Sequence, residues 1–460
     1  MPKASKVKGL TRREFVKAGA LLGSAAAVLP ARAARAAAPA VGDAFWKQFS
    51  GTTLKIVSND HPSPRAIVSR LAEFEKLSGM KVEMDLLGWA IYLQRSDLEM
   101  SSGSGAYDML WVPFILTTRW LNANWLAPLT PLIDNPKITA KEILALDDYV
   151  PTALNVGKRD NRTYSLPILM NTHIMFSRTD VLQKIGLAAP PDTYDDLIAA
   201  CKKIQSPEIA GFISRGTPAT IHWNFPVILQ SYGGDFFADP PRDMTPTLNT
   251  DVAIKAAEVY AMLLSDYSLP GSLAFDAPDV VSNYQQGRAC FLIDDDVYLT
   301  QALDKAKSRV WDKLVASRVP RGPARRAPQM SVHGFGIPAN AKNKEAAWLF
   351  MQWALSPEMM TYAMVTQNNS GTTRTSVLKS QAYKTRFTVG GGDIGALREE
   401  AFANVKIAYR LVPEFSPIGD RVGIAIQQIA SRQKSAKAAM DDAQKDVVEI
   451  VKKAGYKISA

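Results

Sequence analysis

The chain is poor in cysteine and histidine, and beyond its N-terminus it has no long apolar run. Two cysteines in 460 residues, Cys201 and Cys290, exclude a disulfide scaffold. Each lies in an apolar stretch, Leu197–Ile204 and Ala289–Ile293, and reads as a buried thiol. A bridge between them is the alternative, and spacing alone does not decide it. Four scattered histidines supply no metal-binding pair, so a zinc site is not expected, nor is any other metal or cofactor. There is no Gly-x-Ser-x-Gly elbow and no phosphate loop, which removes the usual hydrolase nucleophile and nucleotide site. No stretch after the N-terminus is apolar for long enough to cross a bilayer.

What is present begins with charge. The net +10 is concentrated at the start: residues 1–36 hold eight basic residues and one acid, a net +7, and so leave +3 for the rest. A nucleic-acid surface needs its excess on the folded part, and none is expected here. The same segment reads Thr11-Arg12-Arg13-Glu14-Phe15-Val16-Lys17, then an apolar run from Ala18 to Leu29, then Ala-Arg-Ala cleavage sites. A basic start, a short apolar centre and small residues at the cut define an export signal, and paired arginines before Phe resemble the twin-arginine type. No cysteine lies near the cut, so a lipid anchor is not expected.

At 460 residues, two lobes are expected. Leu54–Val57 is a short buried-strand run, followed by a helix with apolar positions Ile67, Leu71, Phe74 and Leu77 that closes at Gly79. Lys81–Leu86 alternates as a strand, and Tyr107–Val112 is a third. Strands alternating with helices predict an open parallel sheet, whose ligands sit beyond the carboxyl ends of its strands. Those ends carry Asn59-Asp60-His61, Trp89 and Trp111. Further on, Pro190–Asp196 reads as a turn into a capped helix running to Ile204, and Asn249-Thr250-Asp251 caps another. Gly287–Ile293 turns into a strand, Pro320–Pro323 is a crossing segment, and Arg421–Lys453 is mostly helical.

Seven blocks then stand in one order: Phe74–Gly79; Tyr107–Trp111 with Trp125–Leu129; Tyr164–Pro167 with Met175–Leu182; Gly233–Asp235; Tyr284–Cys290; Gly334–Ile337 with Asn343–Trp348; and Thr373–Leu378. Together they resemble the family 1 extracellular solute-binding proteins of ABC transporters, the group of maltose- and other sugar-binding proteins. The resemblance implies an α/β, two-lobed periplasmic binding protein fold of type II, each lobe an open sheet flanked by helices, with hinge strands and a ligand cleft between the lobes. Residues 1–36 are then a cleaved signal, 45–160 and 317–372 the first lobe, 161–316 the second, and 373–460 a helical segment mostly on the second. It also implies a periplasmic monomer that captures a carbohydrate or polyol, closes by hinge motion and delivers it to membrane permease subunits after export by the twin-arginine machinery.

Sugars require paired hydrogen-bond groups for their hydroxyls and flat aromatic rings for their C–H faces. Trp111, Asp60, His61, Trp89, Asn171, His222 and Trp223 are the expected contacts by position in the resemblance. Alternatives remain at several: a core role for Trp111, a helix N-cap at Asp60 or Ser63, and packing beneath a helix for His222 and Trp223. Asp294-Asp295-Asp296 with Tyr298 departs from the family pattern, and Asp295, Asp296 and Tyr298 join the expected site. Three adjacent carboxylates could accept hydroxyls or hold a cation, and at least one is expected to be solvated. His333 and Arg374 complete the set, and of the aromatics near 413–419 only Phe415 is available. The competing readings are an exported hydrolase using two carboxylates from Asp60 and Asp294–Asp296, and a receptor that presents its ligand to a sensor protein.

Overall fold

The computed structural model describes residues 41–406 and 412–459, so the export signal read at 1–36 lies outside the described residues. Three strands open the fold: β1 (Thr53–Asn59), β2 (Lys81–Leu87) and β3 (Met109–Val112). β1 pairs in parallel with both others. Leu54, Ile56 and Val57 are fully buried at its centre, as an apolar run in a covered parallel strand must be. At the sheet edge, β2 keeps Val82 inside while Lys81, Glu83 and Asp85 face out.

The single helix expected through Ile67 and Leu77 is two, α1 (Pro62–Ser69) and α2 (Leu71–Ser78). Arg70 breaks the run: its backbone sits at φ −117°, and its guanidinium bridges Glu73 and Glu358. Gly79 then ends α2 at φ 70°, a left-handed position that glycine adopts without a Cβ penalty. α3 (Trp89–Ser102) follows β2.

β4 (Ser165–Arg178), fourteen residues long, organises the rest. Beside it lie β5 (Ala210–Ile213), β6 (Ala289–Asp295), β7 (Leu314–Ser317) and β8 (Met330–Gly336). The strand order is β2-β1-β3-β8-β4-β6-β5, with β7 also on β4. β4 pairs antiparallel with β8 from Ser165 to Thr172, and with β6 from His173 to Ser177. One strand therefore belongs to two groups, changing partner between Thr172 and His173.

Five helices pack around the second group: α4 (Tyr194–Ile204), α5 (Pro218–Ser231), α6 (Asp251–Ser265), α7 (Ala277–Gln285) and, after the chain returns, α9 (Phe415–Ala430). α8 (Ile394–Asn404) docks on β4. Thr193 caps α4 by accepting the Asp196 amide at 3.1 Å. α9 lies close on α5 because Gly419 faces the His222 ring and Gly423 faces the Pro218 carbonyl, where a Cβ would stand 2.6 and 2.1 Å away. Cys201 and Cys290 are free, buried thiols, and burial pushes both up from their ordinary value. Among the described residues no helix is long and apolar enough to cross a membrane.

Candidate functional site

A cavity of about 540 Å³ opens where the ends of β1, β3 and β6 meet the middle of β4 and the α3 and α7 helices. That size is in the range of small-molecule sites. Nine residues singled out in the sequence border it: Asp60, His61, Trp89, Trp111, Asn171, Trp223, Asp295, Tyr298 and His333.

One wall is aromatic. Trp89 meets Trp223 edge to face at 5.9 Å and His333 at the same separation. Trp111 is wholly buried, so it is a core side chain that also forms a wall. Its indole N–H donates to Nδ1 of His333 at 3.2 Å, and the Phe114 amide donates to the same atom at 3.3 Å. A nitrogen that accepts twice carries no proton, which assigns neutral His333 its hydrogen at Nε2. His61 lies between Trp111 and Tyr298, at 5.6 and 5.7 Å. Burial above all, with the positive charge of Arg65 adding to it, pushes its pKa well below the ordinary value, so the ring is neutral. Both of its nitrogens are buried without a hydrogen-bond partner. Asn171, within β4 and not after it, likewise holds an unpartnered Oδ1.

Most ionic groups at the cavity have an ionic partner; Asp276 instead caps α7, and Lys307 lies 3.6 Å from Asp304. Asp60 does not cap a helix; it accepts Nε and Nη2 of Arg65 at 2.6 and 2.8 Å. The aspartate run is the largest correction, because none of the three is solvated: Asp294, Asp295 and Asp296 are 1%, 5% and 0% exposed. The three carboxylates leave the backbone toward different partners. Asp294 takes a two-pronged bond from Arg215, whose attraction outweighs burial and holds that carboxyl below its ordinary value. Asp295 faces the cavity, with His173 Nδ1 at 3.5 Å and Arg215 at 3.8 Å. Asp296 turns away from it, accepting Arg398 at 2.5 Å, Ser370 at 2.6 Å and the Thr172 amide at 2.8 Å.

Asp296 is therefore outside the cavity lining, and so are Arg374 and His222. Arg374 donates to the carbonyls of Leu144, Ala145 and Leu355, the unsatisfied ends of two helices, and stacks on Tyr149 at 3.5 Å. His222 sits inside α5, with its ring against Phe415 at 4.8 Å. Phe415 in turn backs Trp223 at 5.8 Å and does not reach the cavity.

Sequence reasoning missed Arg215 and the α7 wall. Arg215 follows β5 as Asp60 follows β1, so the rule applied to the first strands would have found it. Its guanidinium lies over Tyr298 at 5.1 Å. α7 turns Pro278, Val281, Ser282 and Gln285 to the cavity at helical spacing, and its Asp276 cap holds the Ala277 amide at 2.6 Å.

A two-lobed periplasmic binding protein is the class that this sheet order and cleft define. Residues 58–361 match the family model described as bacterial extracellular solute-binding protein, and the chain belongs to that family. Among curated relatives, it is 23% identical to an erythritol/L-threitol-binding protein of Mycolicibacterium smegmatis over 77% of this chain and 79% of the relative. It is 24% identical to a mannitol-binding protein of Pseudomonas aeruginosa, over 79% and 84%. Among solved structures, an ABC transporter solute-binding protein of Agrobacterium vitis with bound D-mannitol superposes with a TM-score of 0.79 at 21% identity, covering 88% of this chain and 100% of that one.

Proposed function

We propose that this protein is the extracytoplasmic binding component of an ABC uptake transporter and that its ligand is a neutral polyol or small sugar. The observation that carries the ligand class is the pairing of charge in the cavity. Asp60 is paired with Arg65 and Asp294 with Arg215, which also lies 3.8 Å from Asp295. A free carboxylate would select an amine and a free cation would select an anion, whereas paired groups present edges to hydroxyls. Neutral His61 and Asn171, each with buried polar atoms lacking partners, add acceptors and a donor of the kind hydroxyl groups satisfy. Trp89 and Trp223 supply C–H contact surface. The lobes hinge where β4 changes partner, between Thr172 and His173, and the Trp89–Trp223 contact spans the cleft between them. The binding residues are Asp60, His61, Trp89, Trp111, Asn171, Trp223, Asp295, Tyr298 and His333, now joined by Arg215.

The same pairing disfavours the hydrolase reading. A general acid needs a raised carboxyl pKa, and Arg215 holds Asp294 low. The chain works as a periplasmic monomer, exported by its twin-arginine signal and docking on membrane permease subunits.

Calorimetric melting of the purified protein against erythritol, ribitol, mannitol, maltose and putrescine tests the ligand class. One of the neutral compounds should stabilise by about 2.7 kcal/mol at a hundredfold excess over Kd, and remain unchanged on recovery. Stabilisation by putrescine alone would overturn the neutral-ligand reading, and turnover would overturn the binding role.

A further inference from the structure

A second cavity, of about 290 Å³, shares no lining residue with the first. Its walls come from His173 and Ile174 of β4, the segment Arg318–Pro328 that joins β7 to β8, and α8. Three guanidinium groups border it, from Arg318, Arg325 and Arg326, against one carboxylate, Glu400. Arg318 is bound to Glu400 at 2.8 Å and Arg326 to Asp192 at 2.5 Å. Arg325 is different. Its side chain makes one long hydrogen bond, to Gln230 Oε1 at 3.4 Å, and its Nε is buried with no acceptor. An unmatched donor removed from water is costly, and more so when it is charged. Apart from His173 and Asn404, the rest of the lining is apolar: Ile174, Val319, Pro328, Leu397 and Ala401.

We infer that this cavity binds a small organic carboxylate, its anionic head on the Arg325 guanidinium and its apolar body against Leu397 and Ala401. The planar guanidinium fork matches a carboxylate edge, and the apolar floor favours a carbon body over a bare inorganic anion. The place matters as well. His173 is the residue at which β4 exchanges β8 for β6, and its Nδ1 lies 3.5 Å from Asp295, which borders the first cavity. A guest here ties β4, α8 and the returning segment together at the change of partner. Occupancy therefore alters binding in the first cavity, and by linkage the reverse holds. The coupling rests on the polyol reading; the carboxylate site does not.

Benzoate is the probe, with benzamide as its neutral counterpart and sulfate as the bare anion, all at ionic strength matched with sodium chloride. In scanning and titration calorimetry of the full chain, benzoate should bind saturably and raise the melting temperature, with benzamide and sulfate at least tenfold weaker. Arg325→Gln should remove benzoate binding, and Arg318→Gln should weaken it while exposing Glu400 to the anion; neither side chain lines the polyol cavity. Equal effects of benzoate and chloride, or benzoate binding that survives R325Q with the fold intact, overturn the site. Sulfate as strong as benzoate overturns its apolar half. With mannitol or whichever polyol binds, saturating benzoate should change Kd at least threefold in the wild type and not in R325Q. An unchanged Kd overturns the coupling, and absence of any polyol binding counts against the uptake reading alone.

Discussion

His61 shows how far one side chain departs from its sequence context. In the sequence it is a polar residue after a strand; in the fold it is buried among Trp111, Tyr298 and His333 and held neutral. Its folded pKa lies below the unfolded value of about 6.5, so the unfolded chain takes up a proton first as pH falls. Its contribution to stability is whole above about pH 6.5 and is lost as pH drops from there through the depressed folded value. Urea denaturation at pH 7.5 and 5.5 should show a loss in the wild type that His61→Asn reduces. Parallel losses in the two proteins would assign the pH dependence to other groups. Because His61 borders the cavity, the same substitution should also weaken ligand binding, which separates its two roles.

At the scale of elements, the position of the Trp223 wall depends on how closely α9 approaches α5. Gly419 and Gly423, one helical turn apart, open the surface of α9 to the His222 ring and the Pro218 carbonyl. Phe415, one turn earlier, then reaches His222 and Trp223. Gly423→Ala places a methyl group 2.1 Å from the Pro218 carbonyl oxygen, a backbone atom that can move only with its helix. The expected cost is about 1–3 kcal/mol of unfolding free energy by chemical denaturation, with a weaker ligand affinity as Trp223 shifts. Gly88→Ala, where a Cβ would meet nothing within 4 Å, should lose much less stability. Equal losses would remove close helix approach as the cause.

For the whole molecule, the continuous path through β4 is where we place the proposed hinge. Bending a strand at the point where it changes partner lets each half keep its own ladder, so the two sheet groups can move as bodies. Small-angle scattering should therefore record a smaller radius of gyration on addition of a binding polyol, with secondary structure by circular dichroism unchanged. A radius that stays constant at saturating ligand would mean that this protein binds without hinge closure.

Local rules carried the sequence reading a long way. Strand and helix periodicity, the Gly79 stop and the strand-end rule placed the first wall of the cavity, because each depends on residues near in sequence. The order of seven blocks carried the fold class for the same reason: order is a property of the chain itself. Asp294, Asp295 and Asp296 mark where that ended. Their partners, Arg215, His173 and Arg398, come from other elements, so only the folded chain distributes the three charges. Arg374 was equally illegible, since its acceptors are helix ends more than two hundred residues away and at Leu355. The sequence by itself determined which segments could be strands, helices and strand-end loops, through backbone propensity and apolar spacing. Which polar side chains face a ligand and which hold the framework was decided by tertiary structure, because burial makes a charge seek its partner wherever the fold brings one within reach.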